Sequence, residues 1–536
     1  MTSDVDRGGL RPTRRQALKG LGMAAGGLVL GPGMAGLLAS CGGGGGGTSG
    51  STGGSGSGGT LKFGLSSYPP NLNPFVETGT AAGTVALASY RGLVGYDAKG
   101  KVASELAESW NQDSPSSYVF KLRKNAKFQN GDPVTADDVV YSFQYMTAPD
   151  SVAYWKSLGP LIGGLDAVDP HTFKLTLKQP DAAILDVLAT PWAPIVSKKA
   201  AQASPAKMVG AGPFVVKTVE KGTKVTVTRF ADYYKKGLPK LDGIDFIAYA
   251  DDNLRVTALQ SGAVDLIEYV PWQNMSSIES SGKLSLQTVD GPFMYLLFNV
   301  TRPPFNNATL RRALGYAIDR DAVMKAAFFG RGSALKGVPV QSSSPYYNAK
   351  DADFWSHDPD KAKSMIAQAG AAGLSTTLLS TSQYGMHKDT AQVVQADLSK
   401  VGINVKLDLP DWPTRVAQGN KGDFEFAVQG SAGNYNDPDF LTTFLSGTGS
   451  LNNSYGFNDP TIDGLLAQGR STIDESKRKQ IYDQLYKAML EQAPLVTINW
   501  RSQGYAYQKS VGNFHNLPGF LTFYSAYSLD GVTLSK

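Results

Sequence analysis

The sequence predicts an α/β fold with more than one lobe, and three observations carry that prediction. From Thr60 onward, strand-like and helix-like patterns alternate along the chain, with no internal repeat. Near Gly402 a helical pattern passes directly into an alternating strand, which is an α/β step. The chain also has 536 residues, 42% hydrophobic and 18% charged, too many for one core, so two or three lobes are expected.

The first sixty residues have a different character. Thr13-Arg14-Arg15-Gln16-Ala17-Leu18-Lys19 resembles a twin-arginine export motif, with Ala17 where a Phe is commoner. No charge occurs from Gly20 to Leu61, and the apolar part, Leu21 to Leu38, is Gly/Ala-rich and broken by Pro32. Such a stretch is a poor permanent membrane span and reads as a cleavable signal. It ends in Leu38-Ala39-Ser40-Cys41, which matches the bacterial lipoprotein box and makes Cys41 the expected lipidation site. Residues 1–40 are thus expected to be the signal peptide, and 41–59 the lipidated cysteine with its linker. Gly42 to Gly59 holds only Gly, Ser and Thr, which bury nothing, so a flexible tether is expected over this stretch.

In the body, Tyr118, Phe120 and Leu122 alternate with Val119, Lys121 and Arg123 as a half-buried strand does. An Asn130-Gly131-Asp132 turn follows. Thr135 then caps a helix whose first turn carries Asp137 and Asp138 and whose buried face begins Val139, Val140, Phe143. Leu310, Ala313, Leu314, Ala317 and Ile318 give a clearer helix. Ala362, Met365, Ile366 and Ala369 give another, closed by Gly370. A helix near Ala391 to Val401 ends at Gly402, before the strand Ile403, Val405, Leu407, Leu409. Ile481, Leu485, Ala488 and Met489 mark a last long helix, stopped by Pro494.

Composition narrows the function. Residues 1–40 hold five basic groups against Asp4 and Asp6, so their removal lowers the formal net charge from +5 to about +2. A near-neutral body gives no basic face for nucleic acid. One cysteine excludes an internal disulfide. The four histidines, His171, His357, His387 and His515, are dispersed without zinc-helix spacing, and no P-loop motif occurs. No catalytic residue, metal site or cofactor is expected, although carboxylates are numerous enough that counting does not exclude a glycosidase pair.

Several segments in order resemble the extracytoplasmic solute-binding proteins, family 5, that serve dipeptide, oligopeptide and nickel ABC importers. They are Tyr68-Pro69-Pro70-Asn71-Leu72-Asn73-Pro74, Leu106-Ala107-Glu108-Ser109-Trp110, and the run from Tyr118 through Thr135-Ala136-Asp137-Asp138-Val139 to Phe143. Further matches are Gly210-Ala211-Gly212-Pro213-Phe214, Leu259 to Asp265, Ala317-Ile318-Asp319-Arg320, Asp358-Pro359-Asp360 and the Asp437-Pro438-Asp439 turn. Together they reach from Thr60 to about Phe514.

The resemblance implies a bilobal, type II periplasmic-binding-protein-like fold with an extra domain inserted in the first lobe. Lobe I would comprise 60–104, 206–298 and 508–536, the inserted domain 105–205, and lobe II 299–507. Strands near Phe293–Val300 and Ile498–Tyr507 would cross between lobes that close on ligand. The implied function is capture of a peptide-like or other polar solute, outside the membrane and lipid-anchored, for an ABC permease whose ATPase is a separate chain. An oligosaccharide-binding member of the same family is an alternative. A ligand sensor for a signalling receptor and an exported hydrolase are alternatives of other classes.

The family's layout makes Tyr68, Asn71, Trp272, Tyr295, Asn299, Tyr384, Trp412 and Trp500 pocket candidates. The segment Gly430-Ser431-Ala432-Gly433-Asn434-Tyr435-Asn436-Asp437 adds Ser431, Asn434, Tyr435 and Asp437. Many peptide binders carry Gly-Trp-x-x-Asp here, the carboxylate neutralising the peptide's α-ammonium. In this chain Ser431 stands for the Trp and Asn434 for the Asp, which favours a ligand without a free ammonium at that point, unless Asp437 or Asp439 serves instead.

Overall fold

The computed structural model describes residues 58–76, 79–204, 208–446 and 455–535. The signal segment, Cys41 and nearly all of the linker lie outside the described residues. The last two linker residues correct the expectation of a free coil to Gly59. The Gly58 N–H donates to the Lys240 carbonyl at 2.8 Å and the Gly59 N–H to Asp242 Oδ2 at 2.7 Å, so both residues already belong to the folded body.

Edge to edge, the main sheet orders the strands Asn404–Asp408, Ser375–Leu379, Phe426–Ser431, Leu284–Phe298, Leu495–Gln508, Leu266–Ile267, Thr60–Leu65, Gly243–Ala248, Lys224–Arg229 and Phe214–Glu220. The short strand Ser333–Ala334 also pairs with Leu495–Gln508. Its two central strands are far longer than the rest. Leu284–Phe298 and Leu495–Gln508 run antiparallel from the pair Leu284–Gln508 to the pair Leu297–Leu495. They contain most of the crossing segments expected near Phe293–Val300 and Ile498–Tyr507 and begin earlier in the chain.

Their partners change along their length. Ala506 and Tyr507 pair with Leu266–Ile267, whereas Phe293 to Phe298 pair with Phe426–Ser431. Between these regions the register slips, from Asp290 opposite Ser502 to Phe293 opposite Trp500. A bulge of this kind bends and twists a strand. Phe293 to Phe298 are all fully buried, and a strand covered on both faces reads as a continuous apolar run.

A separate four-stranded sheet lies within residues 105–205, in the order Ala107–Ser114, Ser117–Leu122, Thr172–Leu177, Ile162–Asp169. Tyr118, Phe120 and Leu122 are buried as their alternation predicts. The helix Ala136–Thr147 packs against this sheet with Val139 and Phe143 buried, and it begins in a capping box. The Thr135 N–H donates to Asp138 Oδ2 at 3.0 Å, and the Thr135 hydroxyl to the same oxygen at 2.7 Å. The helices Ala308–Ala317, Pro359–Gln368, Gly385–Lys400 and Glu475–Gln492 also lie where their spacing puts them. Among the described residues no helix is long and apolar enough to cross a membrane.

The capping box gives a test of the reading from sequence to local structure. Thr135→Ala removes the side-chain half of the box and should destabilise the protein by about 1 kcal/mol. Urea unfolding should show a lower midpoint at an unchanged slope. An unaltered midpoint would show that tertiary packing alone holds this helix start.

Candidate functional site

A cleft of about 350 Å3 is lined by residues next to two strands of the main sheet, Ser431 to Asn434 at the end of Phe426–Ser431 and Tyr269 just after Leu266–Ile267. One wall starts at the N-terminus of the buried helix Thr80–Ser89, with Gly79, Thr80 and Gly83. Trp192 lies under Gly83, with ring carbons 3.3 Å from where a Cβ would stand, so any side chain there would meet the indole. Tyr154 stands beside Trp192 at 6.4 Å between ring centroids. Tyr269 and Phe523 stack at 5.8 Å and, with Tyr524, continue this wall.

The opposite wall is Ser431 at the end of strand Phe426–Ser431, the loop Ala432 to Asn434, and Thr443. The described residues lining the cleft carry no charged side chain. Aromatic faces and short polar groups converge on one space, as in many small-molecule sites. Neither the Ser431 hydroxyl nor the Asn434 amide has a hydrogen-bond partner among the described residues, and both are half-buried at the cleft.

The loop carrying Asn434 is held firmly. Gly433 sits against Phe520, whose ring carbons would lie 2.6 and 2.7 Å from a Cβ. Asn436 then ties the loop to the far side. Its Nδ2 donates to the Pro518 carbonyl at 3.1 Å, and its Oδ1 accepts from the Phe520 N–H at 3.0 Å. The two nearby carboxylates are engaged by arginines. Asp437 receives two hydrogen bonds from Arg478, one of them Nη2 to Oδ1 at 2.8 Å, and caps the Pro438–Phe440 turn. Burial works against the Arg478 charge, but Asp437 outweighs it and holds the guanidinium above its ordinary pKa. Asp439 takes Arg470 Nε and Nη2, each at 3.0 Å, and the Tyr435 hydroxyl at 2.9 Å. Both carboxylates are therefore already neutralised within the protein.

Of the residues proposed from sequence, the structure brings Ser431 and Asn434 together in the cleft. Tyr435 and Asp437 lie just behind them, engaged as described. Tyr384 and Trp412 form a second aromatic cluster, edge to face at 5.3 Å, with His387 5.6 Å from Trp412. Tyr295 is fully buried between Phe293 and Phe444. Trp500 packs between Phe293 and Phe520 and is 9% exposed.

The rest serve turns and joints. Asn299 Nδ2 donates to the Gly422 carbonyl, and its Oδ1 accepts from the Thr301 N–H and hydroxyl. Trp272 Nε1 donates to the Ser502 carbonyl at 2.8 Å, with Phe328 edge-on to its ring. Asn71 accepts from the Asn73 N–H in an exposed turn, and Tyr68 packs half-buried on the core.

Sequence reasoning missed Thr80, Tyr154, Trp192, Tyr269, Phe523 and Tyr524. The aromatic-rich run from Phe520 to Tyr527 was a signal that could have found two of them. Nothing local marks Tyr269, although its backbone adopts φ 50°, a left-handed conformation unusual for a bulky residue. Among the described residues no group of three or more His, Cys, Asp or Glu is placed to hold a metal ion.

Comparison with known proteins places this geometry in a class. The model of the bacterial extracellular solute-binding proteins, family 5 Middle, matches residues 101–452. The glutathione-binding protein GsiB of Escherichia coli (strain K12) is 30% identical over 463 residues, covering 83% of this chain and 90% of that protein. Among solved structures, the PBP AgaA from A. tumefaciens R10, in complex with agropinic acid, is 41% identical, with a TM-score of 0.79 over 89% of this chain and 99% of that one. The binding protein DppA from Helicobacter pylori, in complex with the peptide STSA, is 23% identical, with a TM-score of 0.78 over 90% and 99%. The fold is that of type II periplasmic binding proteins, two lobes joined by crossing strands. The chain belongs to the bacterial extracellular solute-binding proteins, family 5.

The buried ion pair behind the cleft can be probed directly. Asp437→Asn keeps the turn cap but leaves Arg478 charged and unpaired, so a loss of about 3–5 kcal/mol is expected in denaturant unfolding. Asp437→Leu with Arg478→Met should recover much of it. Full stability of the single variant would show that the pair is not what holds the loop.

Proposed function

We propose that this chain is the receptor of an ABC importer, lipid-anchored at Cys41 outside the membrane, and that it captures a polar solute lacking a free ammonium at position 434. The observation that carries the ligand half is that the described residues lining the cleft beside Asn434 carry no charge, with Asp437 and Asp439 already held by arginines. An ammonium buried there would find no free counter-charge among the described residues, which costs several kcal/mol. An amide and a hydroxyl instead accept from and donate to neutral groups. The aromatic wall of Tyr154, Trp192, Tyr269 and Phe523 suits the apolar face of a sugar-like or amide-bearing solute.

The relatives support capture of a small polar solute. AgaA, at 41% identity, was solved with agropinic acid, and GsiB is named for glutathione. The GsiB likeness keeps a peptide-like solute as the second reading. A charged segment, an apolar run, the lipid box and a polar linker in that order support export and anchoring.

Calorimetry on residues 58–536 with peptides, their N-acetylated forms, neutral oligosaccharides and agropinic acid tests the ligand reading. Tight binding that survives N-acetylation is expected, and Asn434→Asp should weaken the native solute at least tenfold. Binding of free-amine peptides that is lost on acetylation would contradict it. For the anchor, Cys41→Ser should leave an unlipidated precursor. Recovery of a processed, membrane-bound protein beginning at residue 41 would refute lipidation there.

A further inference from the structure

Among the described residues several buried arginines are fully employed, and Arg91, whose Nε and Nη2 make no hydrogen bond, faces the carboxylates of Glu105 and Asp530. Arg320, 3% exposed, donates to the carbonyls of Leu335, Thr497, Gly315, Ile318 and Trp355. Arg311 gives Nε, Nη1 and Nη2 to the carbonyls of Ala493, Phe305 and Gln492. Peptide carbonyls placed this way satisfy a guanidinium without a carboxylate.

Arg415 and Arg501 differ. Arg415 is fully buried, yet only its Nη2 is used, on the Val428 carbonyl and Gln429 Oε1, both at 2.7 Å. Its Nε and Nη1 are buried and have no partner. Arg501, 8% exposed, directs Nη1 at the Met386 sulfur, a weak acceptor, and its Nε is likewise unpartnered. No described carboxylate lies within salt-bridge distance of either residue. A buried cation without a counter-charge is among the costlier features a fold can carry.

The two belong to one place. Arg501 contacts Met386, the neighbour of His387, and both arginines act on that ring: burial first, then the positive charges of Arg415 and Arg501, push its imidazole down to about 3, so it is neutral in the folded protein. Trp412 lies against the Arg415 guanidinium at 5.0 Å, and Tyr384 closes the cluster. The cluster adjoins the cleft. His387 Nε2 is 3.5 Å from where a Cβ on Gly430 would stand, immediately before Ser431, and the phenol of the cleft residue Tyr269 acts on the Arg501 charge. Arg501 itself sits at the register slip of the long strands, between Trp500 and Ser502.

We infer that Arg415 and Arg501 form an anion subsite behind the Ser431 end of the cleft, which takes a carboxylate of the bound solute as the lobes close. This rests on the solute-binding reading and sharpens it. The ligand is an organic acid whose uncharged polar part lies beside Asn434 and whose carboxylate lies between two guanidinium groups. Charge-assisted hydrogen bonds to unused N–H donors supply the affinity, and the neutral His387 leaves the positive charge to the arginines.

The test pairs carboxylate solutes with their primary carboxamides, using agropinic acid, glutathione and N-acetylated dipeptides on the mature protein. Wild type should bind at least one acid, and its carboxamide about tenfold to hundredfold more weakly. Arg501→Gln and Arg415→Gln should each reduce that acid–amide difference to near unity, with Arg501→Lys keeping part of it. Thermal melting reports whether each variant is folded, and the wild-type comparison decides the matter if neither glutamine variant folds. Equal affinity for acid and amide, or an undiminished preference in a folded variant, overturns the subsite and leaves solute capture standing. Binding of neutral oligosaccharides alone does the same. Binding of nothing in either panel counts against both readings.

Discussion

Everything in this molecule hangs on the pairing of Leu284–Phe298 with Leu495–Gln508. Each strand serves both ends of the sheet, so their register sets where the two walls of the cleft stand. Ser431 is placed by pairing with Phe293, and Tyr269 follows the short strand held against Ala506. The slip at Asp290–Phe293 lies between these fixed points. A one-residue change of register would turn the buried aromatics of Phe293–Phe298 to the opposite face, so burial itself pins the geometry.

On that frame the protein distributes charge unevenly. The two carboxylates behind the Asn434 loop are matched by arginines, Asp437 by Arg478 and Asp439 by Arg470. Arg415 and Arg501, by contrast, lie buried without acidic partners among the described residues. Stability alone favours neutralising or removing such charges. Function explains keeping them, because a site that supplies unpaired donors can reward an acid and reject its neutral analogue.

The regular elements were legible because periodicity is local. The strand at Tyr118–Leu122 and the capped helix after Thr135 follow from spacing and one side-chain bond. Ser431 and Asn434 stood out because their segment departs from a family pattern at two positions, and both line the cleft. The aromatic wall was not legible, since Trp192 and Tyr154 read in sequence as ordinary core, and only tertiary packing sets them opposite Asn434. The same holds for Gly58 and Gly59, whose composition predicts a coil but whose N–H groups find fixed acceptors. Arg415 and Arg501 are invisible for a related reason. A lone arginine in a polar stretch looks exposed until its neighbours are known.

The most direct test of this account is a crystal structure of the mature protein with bound solute. The account predicts density filling the space between Trp192 and Ser431–Asn434, with no ammonium at Asn434. A solute bound elsewhere on the protein, or one whose amine is held by Asp437 freed from Arg478, would contradict it.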